Sequence, residues 1–218
     1  MGRAIAERAE EVLELGTVSF YFRPRVEELL SDELNDVRRL YIVMTPEDSP
    51  FERLIAVGRK RIPRSHERER FWGFVDLVLT PNDMQMALGP QVYGTKTRGV
   101  RHLPAAQQFA HGTYDLAVQG EHTHFRWQLD EFDGSNPVAT AVDLEHEADF
   151  ILTVANPDPA AWGIDELPDL QSDLFDVLEV HVDVRTPFPP DLQRRFRDRR
   201  FAQVDATGWL EHPGAELV

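Results

Sequence analysis

Residues 112–129, Gly112-Thr-Tyr-Asp-Leu-Ala-Val-Gln-Gly-Glu-His-Thr-His-Phe-Arg-Trp-Gln-Leu129, decide the fold class. Tyr114, Leu116 and Val118 alternate with polar neighbours, Gln119-Gly120-Glu121 supplies turn residues, and Thr123, Phe125, Trp127 and Leu129 resume the alternation. A period of two on either side of a glycine turn predicts an antiparallel hairpin with one apolar and one polar face.

The same period extends outward. Val18, Phe20 and Phe22 alternate with Thr17, Ser19 and Tyr21 until Pro24 stops the run. Apolar stretches at 37–44 and 53–61 flank Thr45-Pro-Glu-Asp-Ser-Pro50, a turn suited to a second hairpin, and 71–79 reads as a further strand. Thr80-Pro81 then starts a short helix through Leu88, with threonine as N-cap and proline in the first turn, and Gly89-Pro90 ends it. Strands are also expected at 150–155 and 177–184, and a helix from Pro189-Pro190 to about Arg197. Residues 3–14 place apolar side chains at helical spacing before Gly16 and predict an amphipathic helix, while 27–35 read as a short helix or loop. Residues 91–111 have little periodicity and read as a long connection, and 201–218 as irregular chain.

These elements specify an α+β fold, mainly an antiparallel sheet or partly closed barrel of seven to nine strands with a few peripheral helices. The chain is expected to be one domain over 1–218; its alternative division is two β-rich halves, 1–90 and 112–218, joined by the 91–111 loop. The openings Gly16-Thr17 and Gly112-Thr113 are alike, but two shared residues establish no repeat.

With 218 residues and 42% hydrophobic content the chain can bury a substantial core. The absence of cysteine removes disulfides, thiolate metal sites and cysteine nucleophiles. No run of apolar residues is long enough for a membrane helix and no secretion signal precedes the first strand, so a cytoplasmic protein without membrane association is expected. A net charge of −15 disfavours nucleic acid as a partner. Yet 14 of the 23 basic residues fall in the windows 59–70, 96–101 and 194–200. The first is diluted by Glu67 and Glu69 and reads as ion-paired; in the last, Phe196 and Phe201 read as core anchors.

Two constellations could carry chemistry. In Tyr93–His102 the glycines let backbone N–H groups approach a ligand, and Lys96, Arg98, Arg101 and His102 could neutralise an anion. The Gly-Lys-Ser/Thr ending of a nucleotide-binding loop is absent. This loop ranks first, as the site of a binding or accessory protein that takes an anionic small molecule or acidic peptide. The other constellation is His122-Thr123-His124, whose imidazoles share one side of a strand about 6–7 Å apart and could chelate a divalent metal. His181 and Asp183, on one face of 177–184, could complete that shell around a metal-bound water in a metal-dependent enzyme. The competing reading makes His122, His124, Arg126 and Gln128 a solvated strand face. No Gly-x-Ser-x-Gly or dinucleotide-binding glycine pattern is present.

The chain resembles a family of uncharacterised bacterial proteins through GTVSFYFRPR at 16–25, RLYIV at 39–43, KTRGVRHLPAA at 96–106, the HTHF ending at 122–125, Ala155-Asn156-Pro157 and LQRRFRDRRF at 192–201. That resemblance implies a single family-wide unit, and it implies no catalytic or binding role.

Overall fold

A computed structural model of the chain describes residues 10–24, 37–58, 61–65, 72–95, 99–130, 137–165 and 185–218. The hairpin read from 112–129 forms as expected: β7 (Gln107–Gln119) and β8 (His122–Leu129) pair from Gly112↔Leu129 to Gln119↔His122. Thr123, Phe125, Trp127 and Leu129 are all buried. Earlier in the chain, β1 (Glu11–Pro24), β2 (Val37–Pro46), β3 (Glu52–Val57) and β4 (Gly73–Leu79) form an antiparallel meander, and the turn at 45–50 joins β2 to β3.

These strands belong to one ten-stranded antiparallel sheet, order β11-β10-β12-β4-β3-β2-β1-β7-β8-β9. Its late members are β9 (Glu147–Ile151), β10 (Thr153–Ala155), β11 (Phe201–Gln203) and β12 (Glu216–Leu217). The sheet curls until its ends meet, because residues 147–155 are shared between them. The 147–151 portion pairs with β8, and the Leu152 N–H still donates to Thr123 O at 2.8 Å. One residue on, Thr153 and Val218 exchange N–H···O bonds of 2.8 and 2.9 Å, and Val154 faces Leu217 of β12. β12 closes the circuit onto β4 through Glu216↔Phe74 and Leu217↔Gly73. The α+β, mainly antiparallel reading therefore holds, as a curled sheet closed at a narrow seam.

Inward side chains are set by strand alternation. Val18, Phe20 and Phe22 of β1 lie opposite Met44, Ile42 and Leu40 of β2, and together with Phe125, Trp127 and Leu129 they fill the inside. The outer face of β2–β3 buries Tyr41, Val43, Leu54 and Ala56 beneath α1 (Pro81–Leu88), whose Met84 and Leu88 face the sheet. Thr80 caps α1 by accepting the Asp83 N–H, as the sequence signals. Arg23, 1% exposed, holds the other end, donating to Ala87 O, Gly89 O and Pro104 O at 3.0, 3.0 and 2.7 Å. A guanidinium at a helix C-terminus satisfies orphan carbonyls and opposes the helix dipole.

Three expectations are corrected. The helix read over 3–14 is instead strand from Glu11 onward, residues 3–9 lying outside the described ones. Val12 and Leu13 fit either period, and β1 is hydrogen-bonded on both sides, by β2 and β7, so pairing overrides local helix preference. The 91–111 connection contains a second sheet, β5 (Gln91–Thr95) paired with β6 (Gly99–Leu103), and then the start of β7. Among its described side chains Val92 is 65% exposed and His102 exposed, so the ribbon has little apolar alternation to read. The tail is not irregular: 201–218 supplies β11 and the closing β12. The elements expected at 27–35 and 177–184 lie outside the described residues. No helix among the described residues is long and apolar enough to cross a membrane.

Candidate functional site

The inward faces of a curled sheet must be filled by side chains or leave space. Here the described residues line a cavity of about 920 Å³ that is broadly open to solvent on one side. Its walls are Ile42 and Met44 from β2, Ile55 and Val57 from β3, and Phe125 and Trp127 from β8, with Phe150 to Thr153 at the shared strand. The aromatic wall is continuous. Phe125 meets Trp127 at 5.5 Å between ring centroids and Trp127 meets Phe150 at 4.9 Å, while Tyr114, off the lining, backs Phe125 at 5.8 Å. Polar residues on the lining are few, Ser65, His124, Asp149 and Thr153 besides Trp72 and Trp127, and the side chains of His124 and Asp149 lie on the sheet face opposite to Phe125, Trp127 and Phe150. The Trp127 N–H donates to Glu145 O at 3.1 Å.

His124 and Asp149 are joined, Nδ1 to Oδ1, at 2.7 Å, with side chains 19% and 52% exposed. The register explains the contact: Asp149 lies opposite Arg126 and Ile151 opposite His124, so the pair is a diagonal on one sheet face. A carboxylate on Nδ1 fixes the ring orientation and leaves Nε2 for other work. Sequence reasoning placed His124 but missed Asp149, whose signal was the alternation in Glu147-Ala148-Asp149.

The competing reading of β8 is also realised. Arg126 is clamped by Asp115 Oδ2, 2.9 Å from Nε and 2.5 Å from Nη2, and by Glu10 Oε1 at 2.7 Å. His122, exposed, lies on the same side as His124 across from Gln119. Among the described residues no group of three or more histidines and carboxylates is arranged to hold a metal. His181 and Asp183, expected to complete that shell, lie outside the described residues, as do Lys96 and Arg98. Arg101 is placed in β6 opposite Tyr93, and His102 opposite Val92. Among the described residues of this ribbon, Gln91, Val92, His102 and Leu103 do not line the cavity. In the 59–70 window, Arg64 and Arg61 pair with Asp143, outside the window, at 3.1 and 3.7 Å, while Glu67 and Glu69 lie outside the described residues.

A polar cluster that the sequence did not reveal is buried inside the sheet. Glu14, its side chain 7% exposed, accepts two bonds from Arg53, Nη1 to Oε1 at 2.5 Å and Nη2 to Oε2 at 2.8 Å. The Tyr114 hydroxyl donates to Oε1 at 2.7 Å. Burial first, and the Glu14 hydrogen bond second, push the Tyr114 phenol well above its ordinary value, so it remains a donor throughout the working pH range. None of the three closing groups of this cluster is exposed to bulk water, yet each charge has its partner.

Compared with known proteins, the chain matches no family model, no curated protein and no solved structure.

Proposed function

We propose that the protein is a non-catalytic binding protein whose cavity takes one small, mainly apolar molecule. The observation that carries this reading is the space itself. Protein interiors are close-packed, with few voids larger than a water molecule, whereas ligand pockets span roughly 300–1,000 Å³. About 920 Å³ bounded chiefly by Ile, Val, Met, Phe and Trp side chains falls in the second class. Water gains few hydrogen bonds in such a space, and an apolar ligand restores the missing packing contacts.

The neutral dye N-phenyl-1-naphthylamine is the probe of choice, because charge plays no part in its binding. Saturable fluorescence enhancement at about one dye per chain is expected, and Val57→Trp, which puts an indole into the lining, should abolish it while the unfolding transition stays cooperative. Absence of saturation in the wild type would dispose of the cavity reading.

The expectation of an anionic small molecule or acidic peptide at Lys96, Arg98, Arg101 and His102 is kept as a second, external contact. It is favoured by the ribbon's position outside the main sheet.

One observation favours the metal-dependent enzyme as a second reading. A carboxylate on His124 Nδ1 is the usual support for a metal-ligating imidazole, leaving Nε2 for a divalent ion shared with His122 and with His181 and Asp183, which lie outside the described residues. Near-stoichiometric metal in protein purified without a histidine tag, lost in His122→Ala/His124→Ala, is the result this reading requires. Metal-free protein would rule it out.

A further inference from the structure

The segment that reads as a helix from Pro190 is one helical turn, Pro190–Gln193, continued as a 3-10 turn over Arg194–Phe196. Leu192 and Phe196 are buried, and Phe196 packs on Trp209 with ring centroids 5.1 Å apart. The chain then reverses through Arg197 and Asp198, both left-handed at φ 49° and 60°. Position 197 is the C-cap, where glycine or asparagine is the usual residue because a Cβ is strained there. Arginine is a poor conformational choice at that place, which directs attention to its charge.

Beneath the reversal lies Asn156, 3% exposed, with every polar group engaged. Its backbone N–H donates to Arg200 O at 2.8 Å and its Nδ2 to Arg199 O at 3.0 Å. Its Oδ1 accepts from the Asp158 N–H at 3.0 Å and Gln193 Nε2 at 2.9 Å, and its carbonyl accepts the Trp162 indole N–H at 2.8 Å. One buried residue thus ties both ends of the turn to the body, its side chain at 193 and 199 and its backbone N–H at 200. A preorganised backbone of this kind holds groups in fixed relation.

The groups it holds are five exposed guanidiniums, at 194, 195, 197, 199 and 200. Arg195 is paired with Asp205 at 2.8 Å, Arg200 lies 5.6 Å over the Trp162 ring, and Arg199 Nε donates to Phe196 O at 3.3 Å. Among the described residues, the Arg194 and Arg197 side chains have no partner. Asp198 and Asp191 are the acidic groups on the segment itself, leaving it cationic on a chain of net charge −15.

We propose that the 194–200 turn is a binding site for a compact, multiply charged oxyanion of the phosphate or pyrophosphate class. Guanidiniums bind such oxygens in bidentate fashion, and several at once suit an anion with more than one charge. The acidic body sets the size: each phosphate extending past the turn meets a repulsive field, so a small anion is favoured over an extended polyanion. None of residues 194–200 lines the cavity, so this site stands apart from the cavity reading.

Titration of the full chain with inorganic pyrophosphate, followed by amide chemical shifts, tests it. Saturable shifts confined to residues around 156–162 and 194–201 are expected, weakening with added salt. Arg194→Gln/Arg197→Gln should weaken binding about tenfold or more. Arg197→Gly should weaken it while leaving the melting temperature unchanged or raised, since glycine relieves the left-handed strain. Either variant should bind the neutral dye as the wild type does. Shifts without saturation, or equal affinity in the variants, mean an adventitious ion only and overturn the site. A single-stranded oligonucleotide binding more tightly than pyrophosphate overturns the compact-anion assignment.

Discussion

Glu14→Ala is expected to cost about 3–5 kcal/mol of stability, read as a lowered urea midpoint. Arg53 is 1% exposed and Glu14 meets it with both oxygens. Removing the carboxylate leaves a buried guanidinium whose remaining carboxylate neighbour is Glu211, 3.5 Å away and half in water. A buried charge stripped of its partner costs far more than the net worth of the pair, because its desolvation is no longer offset. The double variant Glu14→Leu/Arg53→Met should therefore be much closer to the wild type than either single change. Tyr114→Phe, which removes one donor and leaves the ion pair, should cost only about 1 kcal/mol. If Glu14→Ala cost less than about 1 kcal/mol, water or Glu211 would have to be solvating Arg53, and the cluster would not be the closed interior feature its burial indicates.

What could be read from sequence follows from which residues have one face in a core. The 112–129 hairpin was legible because Phe125, Trp127 and Leu129 alternate with residues that stay polar, and the α1 cap because Thr80-Pro81 is a local signal. Glu14 was illegible: between Leu13 and Leu15 a glutamate looks like the wet side of a helix, and only the approach of Arg53 from β3 makes an inward carboxylate tolerable. Among the described side chains of the 91–103 ribbon, Leu103 is buried while Val92 and His102 are exposed, too little alternation to read as a period. The cavity could not be read at all, since it arises from how ten strands curl, and no short stretch encodes that. For β8 the sequence supplied His124 and its outward direction, whereas its partner Asp149 comes from a strand 25 residues on. The 194–200 window was read as cations anchored by Phe; Phe196 does anchor it, but the left-handed backbone at Arg197 shows only in three dimensions.

The likeness between Gly16-Thr17 and Gly112-Thr113 also has a spatial meaning, and it leads to the second large effect. Thr17 and Thr113 are direct cross-strand partners, with Gly16 opposite Tyr114 and Val18 opposite Gly112, so the two similar steps pair with each other where β1 and β7 cross the curl. Neither glycine has a positive φ among the glycines that do, namely Gly120, Gly163 and Gly214, so the requirement is space. A Cβ on Gly112 would lie 2.1 Å from Gln128 O and 2.6 Å from Leu129 Cα; on Gly16 it would lie 2.3 Å from Thr45 O. Those are backbone atoms of paired strands, which cannot swing aside as a side chain can. Gly112→Ala is therefore expected to cost about 4 kcal/mol or more, and Gly112→Val to prevent cooperative folding, as thermal unfolding would show. Gly163→Ala is the control: its φ of 73° is left-handed but no atom lies within 4 Å, so about 1 kcal/mol is expected. A Gly112→Ala protein within about 1 kcal/mol of the wild type would mean that β7 and β8 can separate locally at little cost. In that case Trp127, which immediately precedes Gln128 in β8 and forms part of the cavity wall, would not be held in place, and dye binding should fall even though stability did not. Loss of both together is what a wall built on close backbone approach requires.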